Sequence, residues 1–231
     1  MTFLQPDTSY HIFNHANGFE NIFRHEANYY FFLEKYRKYI GPIAETYAWR
    51  LMPNHFHLVV RIRKRPFLVN IFSKVSGTEK GVNNIRNKHH RTKDINFGKG
   101  IEVNISDSEI EKYLSKQFAN LFSCYTQSFN KVYGRMGSLF IKNFRREPIS
   151  DKTHFLNTVV YTHRNPIHHG FCKQYDEWAY SSYNEIMNRS NDGIETDKLI
   201  KMAGGVEGFI KIHLRSLESL DPDNYPDIPN P

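Results

Sequence analysis

The sequence predicts an α+β sandwich, with helices laid on an antiparallel sheet. The order of the segments and one turn carry that prediction. A segment with strand periodicity is followed by one with helix periodicity, then by two strand segments separated only by Pro53-Asn54. So short a connection permits antiparallel pairing and leaves no room for a parallel crossover. The remainder reads as helix and loop. With 231 residues, 39% hydrophobic and 24% charged, the chain has the apolar content for one core with appendages.

Tyr10 to His15 (YHIFNH) alternates apolar and polar residues, as a half-buried strand does, and Asn17-Gly18 supplies a turn. Glu26 to Ile40 places Tyr29, Phe32, Leu33, Tyr36 and Ile40 at helical spacing, and Gly41-Pro42 stops that helix. Glu45 to Met52 and His55 to Ile62 are the paired strands. Residues 77–108 are polar and rich in glycine and asparagine, and predict a long mobile excursion. A helix is expected over Ser115 to Tyr133, with Phe118, Leu121, Phe122, Tyr125 and Phe129 on one face. The basic, glycine-broken stretch KVYGRMGSLFIKNFRREPIS follows as a loop and short extended segment. The next helix runs from Asp151 to Asn165, capped by Asp151 or Thr153 and ended by Pro166. EWAYSSY docks aromatic residues, and Asp197 to Leu220 offers one or two small helices around Gly204-Gly205. The tail DPDNYPDIPNP is expected to be loose. This divides the chain into a main domain, residues 1–190, and a small helical extension with its tail, residues 191–231.

Lysine and arginine outnumber aspartate and glutamate by 31 to 24, giving a formal charge of +7. The isoelectric point is near 9.3. Such an excess favours a polyanionic partner. Two cysteines, Cys124 and Cys172, in no CxxC or CxH spacing, exclude a disulfide framework and a cysteine zinc site, and read as structural. No apolar run reaches the roughly 18 residues of a membrane span, and no secretory pattern opens the chain, so the expected location is cytoplasmic, away from membranes.

The segment MPNHFHLVV holds His55 and His57 on alternate positions of one strand, hence on one face and roughly 7 Å apart. Two imidazoles so placed can converge on a divalent metal while Phe56 faces the core. Read alone, the same pattern equally describes the solvent side of a half-buried strand. In the helix HFLNTVVYTHRNP the apolar stripe is Phe155, Leu156, Val159 and Val160. Asn157, Tyr161 and Asn165 share a polar stripe at i, i+4 and i+8, away from that core face. His163 points about 160 degrees or more away from Tyr161 and falls outside the set. His168-His169 lies past the helix end.

The blocks MPNHFHLVVRI, NKVYGRMGSLFIKNF and VVYTHRNPIHHG, in that order, resemble the IS200-like transposases, and most of all the branch of REP-associated tyrosine transposases. These are HUH endonucleases, named for two histidines flanking a bulky apolar residue. The resemblance spans roughly residues 8 to 185. It implies a ferredoxin-like sheet with the histidine pair on a central strand. It implies His55, His57 and Asn165 as ligands of Mg²⁺ or Mn²⁺, and Tyr161 as the nucleophile. The implied activity is cleavage and rejoining of single-stranded or hairpin DNA through a 5′-phosphotyrosine intermediate, by a monomer or homodimer. The chain departs from the pattern in the insertion at 77–108, in Thr162 where relatives carry isoleucine, and in a larger C-terminal segment.

Two basic clusters read as DNA-phosphate contacts: Arg61, Arg63, Lys64 and Arg65 after the histidine strand, and Arg135, Lys142, Arg145 and Arg146 before the tyrosine helix. Tyr133, Phe140 and Phe144 could stack on unpaired bases or belong to the core. Two other readings stand beside the transposase one. A DNA-binding protein derived from the family would no longer cut. An unrelated phosphodiesterase would use the histidine pair with water as nucleophile, but no aspartate motif accompanies the pair.

Overall fold

The computed structural model of the chain describes residues 3–75, 105–190 and 193–219. Four strands, β1 (Ser9–His15), β2 (Ala44–Met52), β3 (His55–Ile62) and β4 (Arg145–Pro148), form one antiparallel sheet in the order β2-β3-β1-β4. This is the α+β class expected from the sequence, with the strand order of a ferredoxin-like sheet and the histidine strand in its interior. Met52 faces His55 across the turn at Pro53-Asn54. The short extended segment after the glycine-broken loop is β4, which pairs with β1 and forms one edge of the sheet.

The two faces of the sheet have different contents. Tyr10 and Ile12 of β1, Trp49 and Leu51 of β2, and Phe56, Leu58 and Val60 of β3 point to one side. There they meet α1 (Glu26–Tyr39), through Tyr29, Phe32, Leu33 and Tyr36, and the long α3 (Asp107–Tyr133), through Ile110, Leu114, Phe118, Leu121 and Tyr125. Phe32, Phe56 and Phe118 are wholly buried, and each such ring is worth about 1.5–3 kcal/mol of transfer free energy. The opposite face carries Ala48 and Val59 against Phe155 and Val159 of α4 (Lys152–His168). Ile186 of α5 (Tyr183–Met187), Leu199 and Ile200 of α6 (Thr196–Ala203) and Phe209 of α7 (Val206–Ser219) complete that second cluster. The helical segment beyond residue 190 therefore shares a core with the tyrosine helix, and Gly204 caps α6 at φ 87°, where glycine carries no steric penalty.

Two helix boundaries and one whole helix differ from the sequence expectation. Helix α3 begins at Asp107, not Ser115, because Ser106 and Glu109 form a capping box that starts it inside the polar stretch. The rest of the expected mobile excursion, residues 77–104, lies outside the described residues. Helix α2 (Arg65–Val75) was not anticipated, and Pro66 sits in its first turn, where a missing N–H costs nothing. Helix α4 starts with Asp151 as its cap, whose carboxylate accepts from the His154 N–H at 2.9 Å, but it runs through Pro166 to His168. A proline so close to the end removes only one interior hydrogen bond, and the final turn still closes through His169 N–H to the Asn165 carbonyl at 3.0 Å.

EWAYSSY pins the sheet edge to the helices. Tyr180 stacks on Tyr29, the Trp178 indole donates to the Leu51 carbonyl, and Ser182 accepts from the Trp49 N–H. Ser182 also starts a buried chain. The His213 Nδ1–H donates to the Phe209 carbonyl, so its Nε2 accepts from His163 Nδ1–H, and His163 Nε2 accepts from the Ser182 hydroxyl. His163 thus faces α7 and takes no part on the tyrosine side. The tail, residues 220–231, lies outside the described residues, and among those described no helix is long and apolar enough to cross a membrane.

Candidate functional site

Strand pairing decides which polar side chains meet. Phe13 lies opposite His57 and His15 opposite His55 in the β1–β3 ladder, and Arg50 lies opposite His57 in the β2–β3 ladder. Because directly paired residues share a face, β1 contributes His11, Phe13 and His15 to the face that carries His55, His57 and Arg50. Helix α4 lies across it. The result is a buried, histidine-rich patch at the end of the sheet where β3 begins.

His55 and His57 are 6% and 3% exposed, so neither is the solvent side of a half-buried strand. Their ring centroids are 5.4 Å apart at an interplanar angle of 77°. His55 Nδ1 lies 2.7 Å from the Asn54 side-chain oxygen. That oxygen can only accept, so the His55 proton sits on Nδ1 and its lone pair on Nε2. His57 Nδ1 lies 2.7 Å from His11 Nε2. Phe13 stacks on the His57 ring and His15 on the His55 ring, at 5.3 and 5.6 Å.

Tyr161 projects from α4 onto this patch, edge-on to His57 at 5.6 Å and to His11 at 5.8 Å. Asn165, one turn later, is 2% exposed and sits beside His55. The tyrosine stripe of α4 therefore faces the sheet rather than away from it: Asn157 at its start is exposed, Tyr161 half-buried and Asn165 buried. His169, the C-cap of α4, brings its ring to 5.6 Å from His55.

Burial and charge keep His11, His55 and His57 neutral. His57 is held well below the ordinary histidine value by burial first, then by Arg50 and its histidine neighbours, and His55 likewise by burial, Arg50, His169 and His15. His11 is pushed down to about 3 by burial, with Arg50 and His154 adding to it. Neutral imidazole is the form with a lone pair to give to a metal. Two buried acceptors beside His55 make no hydrogen bond: the Asn165 Oδ1, and the Nε2 of His15, whose Nδ1 donates to the Ala16 carbonyl. Leaving such an acceptor unmatched costs about 1–3 kcal/mol, and a cation would offset it. Among the described residues no group of three His, Cys, Asp or Glu side chains is arranged to hold a metal ion. The donors that could hold a divalent ion here are the two imidazoles together with the Asn165 amide oxygen.

The two basic clusters are placed differently. Strand β3 runs away from the site, so Arg61 lies roughly 20 Å along it from His55, and the first cluster begins there. There Arg61 pairs with Asp7, Arg63 with the Gly41 carbonyl and Glu45, and Arg65 with Asp107, while Lys64 is exposed. In the second cluster Arg135 is clamped by Glu20, Asn130 and the Ser138 carbonyl. Arg145, exposed, lies opposite Phe13 on the histidine face, roughly 10 Å from β3 at two strand spacings. Arg146 turns to the other face, donating to Ser115 beside the Phe144 ring. It lines a groove of 480 Å³ with Lys142, Phe122, Phe140 and Phe144. Phe140 belongs to the core, and Phe144 and Tyr133 pack partly against it.

His11, His15 and Arg50 were not singled out from the sequence. The alternation of YHIFNH does put His11 and His15 on one face, but only the pairing of β1 with β3 makes it the same face as His55 and His57. No family model and no curated protein matches the chain. Among solved structures, one of a REP-associated tyrosine transposase bound to a REP hairpin is similar, at 15% identity and a TM-score of 0.48, covering 82% of this chain and 84% of that one.

Proposed function

We propose that the chain cuts and rejoins single-stranded or hairpin DNA through a covalent link to Tyr161, with a divalent metal ion at His55, His57 and Asn165. The observation that carries this reading is the meeting of Tyr161 with His57, and of Asn165 with His55, over one buried patch. The sequence blocks that resemble the single-tyrosine transposases supply these same four residues. Mg²⁺ or Mn²⁺ held there would polarise the scissile phosphate as a Lewis acid.

The residues of the chain supply the rest. Tyr161 is carried by a helix packed on the sheet through Phe155 and Val159, so its hydroxyl is offered from a fixed backbone to a phosphate lying over the histidines. A phenol of ordinary pKa, about 10, is a poor nucleophile at neutral pH. Its proton must leave as the oxygen attacks phosphorus. The Tyr161 O–P bond forms, the bond from phosphorus to the 3′-oxygen breaks, and that oxygen takes up a proton. The products are a 5′-phosphotyrosine and a free 3′-hydroxyl. Attack of a 3′-hydroxyl on the same phosphorus reverses the step, so joining needs no nucleoside triphosphate. Arg145 at the sheet edge, and the groove lined by Lys142, Arg146 and Phe144, are the surfaces assigned to the strand's phosphates and bases.

Incubating labelled hairpin DNA with Mn²⁺ or Mg²⁺ and resolving it on a denaturing gel tests the reading. Wild type forms a metal-dependent adduct that survives denaturation, and Tyr161→Phe reduces it by about 10³-fold or more. Cleavage without an adduct, equal in both proteins, would show a water-using hydrolase. Binding with neither product, across several hairpins, would show a DNA-binding protein that does not cut.

A further inference from the structure

We propose that His11 is a positioning residue for His57: it accepts the His57 Nδ1 proton and thereby leaves the Nε2 lone pair of His57 for the metal. The inference rests on the reading of His57 as a ligand and adds the side chain that sets its proton. For His55 the matter is settled by Asn54, whose side-chain oxygen can only accept. For His57 the partner is a second imidazole at 2.7 Å, and either ring could donate. The choice has a chemical consequence. If His11 gave its Nε2 proton to His57 Nδ1, a neutral His57 would keep its own proton on Nε2 and present no lone pair there.

Glu147 favours one direction. It is the cross-strand partner of His11 on β4, and its Oε2 lies 4.0 Å from His11 Nδ1. A carboxylate there favours an N–H at Nδ1 over a lone pair, and a neutral His11 protonated at Nδ1 can only accept at Nε2. The protons are then ordered across three strands: His11 Nδ1–H toward the Glu147 carboxylate, and His57 Nδ1–H to His11 Nε2. Metal-binding histidines are oriented in this way by an acceptor on the far ring nitrogen, and loss of that acceptor typically costs about 10- to 100-fold in metal affinity. Sheet geometry holds the relay in place, because His11 and His57 are diagonal neighbours in the β1–β3 ladder, fixed by the Phe13–His57 and His11–Val59 pairs. Their ring centroids are 4.9 Å apart at an interplanar angle of 28°, the edge-to-edge arrangement that an in-plane N–H···N bond requires. His11 also touches the edge of Tyr161, so the residue that orders the ligand borders the nucleophile.

Two measurements on the full chain test the proposal. Long-range ¹H–¹⁵N spectra of the metal-free wild type report which nitrogen of His57 is protonated, and Nδ1 is expected. Co²⁺ titrations followed by ligand-field absorption compare wild type, His57→Ala, His11→Leu and His11→Gln. The glutamine keeps an oxygen acceptor near the Nε2 position, so it is expected to bind Co²⁺ within a few-fold of wild type. The leucine removes the acceptor and is expected to weaken binding about 10- to 100-fold at an unchanged far-ultraviolet spectrum. A His57 protonated on Nε2 in the wild type overturns the proposal. So does a His11→Leu protein that binds as wild type does, or a His11→Gln protein as weak as His11→Leu. Failure of the underlying site reading shows separately, as Co²⁺ affinity that His57→Ala leaves unchanged.

Discussion

Asn165 is where the chemistry of single residues is clearest. Its side-chain oxygen is buried beside His55 and accepts no hydrogen bond. A group kept for stability would be matched, since an unmatched buried acceptor works against folding. Asn165→Leu, close in volume, is therefore expected to leave the unfolding free energy within about 1 kcal/mol of wild type, or to raise it. Metal affinity, read by Co²⁺ titration, is expected to fall about tenfold or more. A large loss of stability with metal binding intact would show that the amide serves packing. The four residues of the proposed metal and tyrosine set were legible in the sequence because each lies in a local pattern, HFH on a strand and YTHRN on a helix. His11, His15 and Arg50 were not, because their place in the patch depends on strand register, which local sequence does not encode.

At the scale of elements, period-two alternation in YHIFNH and HFHLVVRI and the turn between β2 and β3 were enough to place three strands, β3 with its observed bounds. The start of α3 was missed although Ser106 and Glu109 spell a capping box, because the polar residues around it match the preceding stretch. The end of α4 was set too early because Pro166 was read as a stop, whereas a proline is tolerated when little helix follows it. β4 is only four residues long, and its role as an edge of the sheet follows from pairing with β1. That edge also sorts the basic residues. Lys142 and Arg145 are exposed, whereas the Arg61 guanidinium is engaged by Asp7 at 2.8 Å. The double variant Lys142→Ala/Arg145→Ala is expected to weaken hairpin binding across sequences. It should also lower the slope of log affinity against log salt by about 1 for each phosphate that the protein ceases to neutralise. Arg61→Ala should change the slope less. Fluorescence anisotropy at several salt concentrations checks both, and an unchanged slope in the double variant would remove this edge from the DNA path.

For the whole molecule, the concentration of buried neutral histidines makes stability depend on pH. His11 is pushed down to about 3 and His213 to about 4, and His55, His57 and His163 shift in the same direction, in each case chiefly by burial. Above the ordinary value of 6.5 each is neutral both folded and unfolded. Below it the unfolded chain takes up protons that the folded chain refuses, so stability falls as the pH drops toward the folded values. The slope is up to about 1.4 kcal/mol per pH unit for each histidine. Set against a total stability of about 5–15 kcal/mol, acid unfolding is expected with a midpoint between about pH 4 and 6. A circular-dichroism titration that finds the native fold intact at pH 4 would contradict the buried, uncharged state of this patch.

One tyrosine of the fourteen in the chain is expected to become joined to DNA. Proteolysis of the denatured adduct followed by tandem mass spectrometry measures this directly. The expected result is a nucleotide phosphate on the peptide that carries Tyr161, formed only with the divalent metal present. An adduct mapped to another side chain, or cleaved DNA with no modified peptide, would contradict it.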